Sequence, residues 1–404
     1  MVFAIAGVII FVGFLANLIF KKTTFPDIPL LILTGIIFGP LLGLFTPEDF
    51  LPVTPIFAAL ALTLILFQGG LGMEIYTVLA QSFRATVLGF LYVIFATLFV
   101  SIFGHFILGL SWIEALILGP MTAGTSSAII IPLVSRLSVS DDVKATLSLE
   151  STITDVLNII LVIVFLKMFL GSAVNIQETM SSLFARFAVG MMFGAIVGIV
   201  WVKILDVVGK QEYIYMLTLA VLLLCYAGAE FLGGSGALSA LVFGIILGNY
   251  GKMKVLGVKV NSKLMPKLIE TIRDFQGEIT FLVRAFFFVL LGLLYVPDLM
   301  GSIYAGSILA VNLVLRNLAV RISTYKSELY KYRGFMTLTC GTGLANAVLS
   351  LTVYSELAVR QIPSASLYPL IVTNIILMNN IVTSLTPLIM RGSLRADHAY
   401  LNKK

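Results

Sequence analysis

Of the 404 residues 59% are hydrophobic and 11% charged, and the mean hydropathy is +1.06. About a quarter of a soluble domain's residues carry charge, so a water-soluble globular fold is excluded and most of the chain must face lipid or other apolar helices. The net charge of +6 could suit nucleic acid, but the basic residues gather in particular loops, so membrane topology explains them instead. Cys225 and Cys340 lie in apolar stretches without metal-ligand spacing, which argues against a disulfide framework or a zinc site and leaves them as packing residues.

Crossing about 30 Å of hydrocarbon as a helix takes roughly 20 residues, and apolar windows near that length recur along the whole chain. Thirteen are expected: about 2–20, 28–45, 52–71, 84–109, 112–135, 144–170, 183–207, 213–231, 234–249, 277–296, 300–323, 335–357 and 367–389. The first reads as a membrane span and not as a signal peptide, because Lys21 and Lys22 follow its apolar run instead of preceding it. With the N-terminus outside, 21 of the 26 basic residues fall in inside loops: Lys21, Lys22, Arg84, Arg136, Lys144, Lys203, Lys210, the run from Lys252 to Arg273, Arg321, Lys326, Lys331, Arg333 and the tail. Lys167, Arg186 and Arg360 fall outside, and Arg284 and Arg316 within spans. This asymmetry puts the N-terminus outside and the C-terminus in the cytoplasm. The connection 250–276, basic and weakly amphipathic through Val255, Leu256, Val258, Leu264, Leu268 and Ile269, is expected to lie along the cytoplasmic surface between the two halves of the chain. A short tail is expected after the last window.

Charges at mid-membrane cost at least about 2.5 kcal/mol each and are functional candidates by default. The sixth window holds two, Glu150 and Asp155. At helical spacing Ser151, Asp155 and Asn158 share one face, while Glu150 and Thr154 form a neighbouring face about 100° round. One face thus offers oxygens to an ion, and the other a carboxylate in need of a partner. Arg316 in the eleventh window is the natural partner, because a guanidinium alone in apolar surroundings is hard to sustain. Asp155 is then free to bind either a proton or a hard cation, which is the minimal device for exchanging one for the other. The alternative is that another buried base, Arg284, pairs with Asp155.

Two further windows carry residues that weaken a helix in mid-membrane. The fifth has Gly119-Pro120-Met121-Thr122-Ala123-Gly124-Thr125-Ser126-Ser127 and the twelfth Gly341-Thr342-Gly343-Leu344-Ala345-Asn346. Broken backbone at that depth is tolerated where it lines a cavity, and transporters use the freed carbonyls as ion ligands. One cluster in each half matches the expected pair of interrupted helices.

With these residues the chain resembles the cation/proton antiporter superfamily, in particular the NhaP-type sodium/proton antiporters. Gly-rich pieces carry part of the likeness: Ile28 to Pro40, Leu66-Phe67-Gln68-Gly69-Gly70-Leu71, Gly233 to Asn249, and Phe286-Phe287-Phe288 to Gly292. More specific is Glu150 five residues before Asp155, together with Arg316-x-Leu318-x-Val320. The resemblance implies an all-α integral membrane protein of about 13 transmembrane helices in two inverted repeats, with interrupted helices in the core, working as a homodimer among membrane lipids. It implies scaffold helices in 1–82 and 211–298, ion-transporting core helices in 83–171 and 299–404, and a linking helix in 172–210. It further implies that Asp155 carries the transported Na+ and H+ by alternating access in a cell membrane, with Ser151 and the Thr125 carbonyl as ligands and Glu150 paired to Arg316. Ser126, Thr154 and Asn158 belong to the same expected ion site, and Gly124, Gly343 and Asn346 to the interrupted helices.

Three departures from the family pattern bear on selectivity. Its Thr-Asp-Pro is Thr125-Ser126-Ser127, the Asn before its carrier Asp is Thr154, and its Gly-Leu-Arg-Gly is Gly343-Leu344-Ala345-Asn346. Members that move net charge carry two adjacent aspartates in the sixth span, so the single Asp155 implies electroneutral exchange. No cofactor beyond the transported cation and proton is expected. K+ in place of Na+, or a receptor or scaffold that keeps the fold without transporting, are alternative readings. A membrane aspartyl protease would need two facing aspartates where only Asp155 lies deep, and a carrier of organic anions would need a binder for which Arg284 is the spare candidate. His105, near the outer end of the fourth window, reads as a packed residue, His398 lies in the tail, and Glu230 and Glu278 near span ends have no chemistry assigned.

Overall fold

The computed structural model describes residues 2–23, 28–44, 54–135, 137, 139–171, 176–208, 212–252, 265–293, 295 and 298–390. Among these residues there are helices and turns and no strand. Backbone polar groups in hydrocarbon must be satisfied within the segment, which leaves the helix as the natural spanning element of this apolar sequence. Among the described residues eight helices are long and apolar enough to cross a membrane, and four shorter apolar helices, Ala6–Ile19, Leu30–Leu41, Ala59–Leu71 and Gly236–Gly248, join them. Large apolar side chains such as Phe11, Phe83, Phe184, Phe231 and Val314 are exposed, as lipid-facing residues are. The chain is a multi-pass membrane protein.

Two compact units divide the chain. The first comprises Met1–Ala58, Ser82–Val174 and Ala285–Lys404, and the second Ala59–Gln81 and Asn175–Arg284. In chain order the helices are α1 (Val2–Thr23), α2 (Ile28–Ile36), α3 (Thr54–Leu71), α4 (Ile75–Phe106), α5 (Trp112–Thr122), α6 (Ser127–Ser135), α7 (Asp141–Phe169), α8 (Ile176–Val208), α9 (Ile214–Phe231) and α10 (Gly236–Gly248). They continue with α11 (Met265–Leu293), α12 (Leu299–Ser323), α13 (Arg333–Leu338), α14 (Leu344–Ala358) and α15 (Leu367–Ile389).

In the second unit the short helix α10 is buried along most of its length and touches its neighbours backbone to backbone. A Cβ on Gly194 of α8 would meet the Ser239 carbonyl oxygen at 2.3 Å, and one on Gly244 would meet that of Phe67 in α3 at 2.4 Å. Glycine permits this approach, which in lipid gains through dispersion contacts what burial from water would supply in a soluble core. In the first unit, α7 packs against both α5 and α6, and α12 and α14 pack against α15. An apolar core of Leu88, Tyr92, Ala96, Ile130, Leu147, Val320 and Phe335 joins α4, α6, α7, α12 and α13.

Several boundaries differ from the sequence expectation. The fourth window begins at Ile75, so Arg84 lies inside α4 and not in an inside loop. Helix α11 begins at Met265, which puts Leu268 and Ile269 on its buried face instead of in a surface connection. Arg284 therefore stands 19 residues beyond the start of its helix, roughly 28 Å by helix rise, where about two turns were expected. Polar residues at the ends of α4 and α11 shorten a hydropathy window while leaving the helix intact. Arg136, Lys210, the stretch 253–264 and the tail with His398 lie outside the described residues. Cys225 and Cys340 are free and buried.

Candidate functional site

Two helices of the first unit are broken where the sequence is rich in glycine. Helix α5 contains Pro120, whose ring removes a backbone donor, and it ends at Thr122 with Ala123 extended. Gly124 then takes φ +79°, a left-handed conformation that glycine adopts without strain. The chain re-enters a helix at Ser127. The second break, between α13 and α14, runs through Cys340, Gly341, Thr342 and Gly343. The breaks cross, and the Ser126 N–H donates to the Gly341 carbonyl at 2.7 Å. Contact is close enough that a Cβ on Gly343 would fall 2.0 Å from Ser126 Oγ.

Breaking a helix in mid-membrane frees carbonyls that need donors. At the first break Asn312 Nδ2 donates to the Thr122 carbonyl (3.1 Å) and Asn158 Nδ2 to that of Ala123 (2.8 Å), with Asn346 Nδ2 3.5 Å from the same oxygen. The Thr154 hydroxyl spans Thr125, accepting from its N–H at 3.2 Å and lying 3.0 Å from its carbonyl. At the second break Asn380 Nδ2 reaches the Thr342 carbonyl at 3.1 Å and Asn379 Nδ2 the Thr342 hydroxyl at 2.7 Å.

Arg316 of α12 joins both halves of this accounting. Its Nη1 and Nη2 hold Glu150 Oε1 and Oε2 at 3.1 and 3.2 Å, while Nε donates to the Met336 carbonyl (3.0 Å) and Nη2 also to that of Thr339 (2.9 Å). Both side chains are 0% exposed, and the guanidinium lies 4.9 Å from the Tyr92 ring centre. A cation is thus placed at the carbonyl end of α13, where the helix dipole favours it. This fork-to-fork pair leaves Glu150 no free oxygen.

Asp155 differs. Among the described residues only Glu150, Asp155, Arg284 and Arg316 are buried charged side chains, and Asp155 forms no ion pair. Its Oδ2 accepts from Ser127 Oγ at 2.7 Å and Ser127 N at 3.2 Å, at the amide end of α6. Ser151 turns its hydroxyl to its own helix, donating to the Ser148 carbonyl at 3.0 Å. Ser126 contacts the second break and makes no bond to Asp155. Asp155, Asn158 and Thr154 all point to the first break, where Thr125 Oγ1 and Asn158 Oδ1 are buried oxygens without a hydrogen bond, as is Asn312 Oδ1. Such an all-oxygen set fits a hard cation. The sequence patterns do not mark Asn312, Asn379 or Asn380, and they name Ser127 only as a member of the fifth-window cluster, without a role. Their signal is the polar side chain in an apolar window, as in Thr373-Asn374 and Asn379-Asn380.

Comparison with known proteins places this architecture. The sodium/hydrogen exchanger transmembrane model matches residues 7–391. A K(+)/H(+) antiporter NhaP2 of Shewanella sp. (strain ANA-3) is 27% identical over 321 residues, covering 76% of this chain and 52% of the relative. The chain thus spans about half the length of the first curated relatives it matches. Na(+)/H(+) antiporter 1 of Methanocaldococcus jannaschii is 26% identical over 375 residues, covering 87% and 83%. The structure of the sodium proton antiporter MjNhaP1 from the same organism at pH 8 is similar with a TM-score of 0.70 and 25% identity, over 97% of this chain and 98% of that one. With buried Glu150 and Arg316 paired, Asp155 beside two crossed helix breaks, and that match over nearly its whole length, the chain belongs to the sodium/hydrogen exchanger family.

Proposed function

We propose that the chain is a secondary active antiporter that exchanges a monovalent cation for H+ at Asp155. The observation that carries this is the contrast in partners: Asp155 is a buried carboxylate without a cationic partner, beside backbone freed by two breaks, whereas Glu150 is consumed by Arg316. A carboxylate in that setting holds one positive charge at a time, a proton or a metal cation, and competition between them couples the two fluxes. Ser151, Thr125, Ser126, Thr154 and Asn158 complete the oxygen surroundings, with Asp155, Ser151 and the Thr125 carbonyl as ligands of the transported Na+.

Alternating access carries the site from one membrane face to the other, with 83–171 and 299–404 moving as the core against scaffold helices in 1–82 and 211–298, in a homodimer. The N-terminus lies outside and the C-terminus in the cytoplasm of the cell membrane. No catalytic residue or cofactor is invoked. Na+ is the proposed cargo. K+ is the second reading, because the relatives include proteins named for each cation.

The test is proton flux in proteoliposomes containing the purified chain, read with an internal pH dye after a Na+ or K+ gradient is imposed. Gradient-driven proton movement in the wild type, absent in Asp155→Asn, is expected. Undiminished flux in that variant would rule out Asp155 as the carrier, and the faster of the two cations identifies the cargo.

A further inference from the structure

We propose that Ser127 is the positioning residue of the carrier carboxylate: its hydroxyl and its backbone N–H fix Asp155 Oδ2, leaving Oδ1 as the oxygen that meets the cargo. The inference rests on the reading of Asp155 as carrier and adds to it which oxygen is used and what holds the other.

Proton accounting at the site supports it. Ser127 has one hydroxyl proton and two acceptors within reach, Asp155 Oδ2 at 2.7 Å and Thr152 Oγ1 at 3.3 Å. Thr152 donates its own proton to the Ser148 carbonyl at 2.8 Å, so it has none to offer Ser127. The shorter bond, to the group that carries charge, takes the Ser127 proton. The Ser127 N–H is one of the donors that the first turn of α6 cannot use, and it points at the same Oδ2, 3.2 Å away. Oδ2 therefore has two donors from one residue.

Oδ1 receives no hydrogen bond, and it is not among the fully enclosed polar atoms that lack a partner. Asp155 as a whole retains 7% exposure, whereas Glu150, Ser151 and Thr154 on the same helix have none. One carboxylate oxygen is thus tied to the protein and the other left reachable. Because Ser127 is the first residue of α6, the tie belongs to the half-helix that follows the first break, so the orientation of Asp155 is coupled to the position of that half-helix.

A carboxylate free to rotate binds a cation less well than one already oriented. Ser127→Ala removes the hydroxyl donor and keeps the N–H, and Ser127→Thr keeps both. Both are assayed in proteoliposomes at one fixed pH, with the apparent KM for Na+ and the maximal rate measured separately, beside Asp155→Asn. The expected result is a KM raised about tenfold in Ser127→Ala, the loss of one hydrogen bond to a charged group, with the maximal rate within about twofold and the KM restored in Ser127→Thr.

An unchanged KM in Ser127→Ala, with Asp155→Asn inactive, overturns the role of Ser127 and leaves the carrier reading standing. Transport retained in Asp155→Asn overturns the carrier reading itself. Equal losses in the Ala and Thr variants mark a packing role and also overturn the proposal. Should Ser127→Ala fail to assemble, Ser127→Cys, a weaker donor of similar size, serves instead: a raised KM supports the assignment and an unchanged one defeats it.

Discussion

Glu150 and Asp155 stand five residues apart on helix α7, and both are buried. One meets a guanidinium with both oxygens, the other meets a serine with one. The same functional group therefore does two jobs, because an ion pair fixes charge and fold whereas a hydrogen bond from a neutral donor leaves the charge available. Helix periodicity makes the division possible. Residues five apart diverge by about 140°, so α7 presents Glu150 towards α12 and Asp155 towards the first break.

Substitution at the two positions should separate transport from stability. Asp155→Asn is expected to abolish exchange while leaving the melting temperature close to wild type, since the amide can still accept from Ser127. Glu150→Leu or Arg316→Leu is expected to destabilise by about 3 to 5 kcal/mol, because each strands a buried charge, and the double variant should be more stable than either single one. Thermal melts of purified detergent-solubilised protein read this directly. Single variants that melt like the wild type would remove the distinction between the two carboxylates. Arg316 also serves the Met336 and Thr339 carbonyls, so its loss should cost more than that of Glu150.

The crossing that frames Asp155 gives the next effect. Gly343→Ala would place a methyl 2.0 Å from Ser126 Oγ and 2.6 Å from Ser126 Cβ, which forces the breaks apart. Overpacking of this kind typically costs about 1 to 3 kcal/mol. Transport should fall with it, and adding Ser126→Gly should recover part of both losses. Wild-type melting and flux in Gly343→Ala would show that the crossing is looser than the two carboxylates require.

How much of this was legible in the sequence differs between the fold and the site. Hydropathy and charge asymmetry report what the bilayer demands, so spans could be read, with errors where polar ends such as those around Arg84 and Arg273 continue a helix beyond its apolar stretch. Gly-Pro and Gly-x-Gly clusters likewise betray weak helix, and the breaks at Gly124 and Gly343 follow. The partner of Arg316 could be argued from the need of a buried guanidinium for a carboxylate. Which serine faces Asp155 could not. Helical spacing brings Ser151 to the same face, yet a serine in mid-helix can bond the carbonyl of the preceding turn, and Ser151 does. Ser127 reaches Asp155 only because two separate stretches of chain cross, information that resides in packing and not in local pattern. The bonds from Asn312 and Asn380 to the freed carbonyls, and from Asn379 to the Thr342 hydroxyl, were hidden for the same reason.

The smallest expected effect is the response to membrane potential, and it follows from the opening contrast. If both carboxylates titrated during the cycle, two charges would move for one cation. Glu150 cannot take part without breaking two bonds of a fully enclosed pair, while Thr154 beside Asp155 and Ser126 at the crossing have no ionisable group at physiological pH. On the proposed reading one carboxylate carries either one cation or one H+, so the expected exchange is one for one with no net charge crossing. In proteoliposomes with a fixed Na+ gradient, a potential imposed with valinomycin and K+ should leave the equilibrium pH difference where it stands without one. A shift in that equilibrium with potential would require a second charge-carrying participant. Repeating the measurement in a stable double variant lacking Glu150 and Arg316 would then locate it: a shift that disappears identifies the pair as the participant, and one that persists directs attention to Arg284, the other buried charged residue among those described.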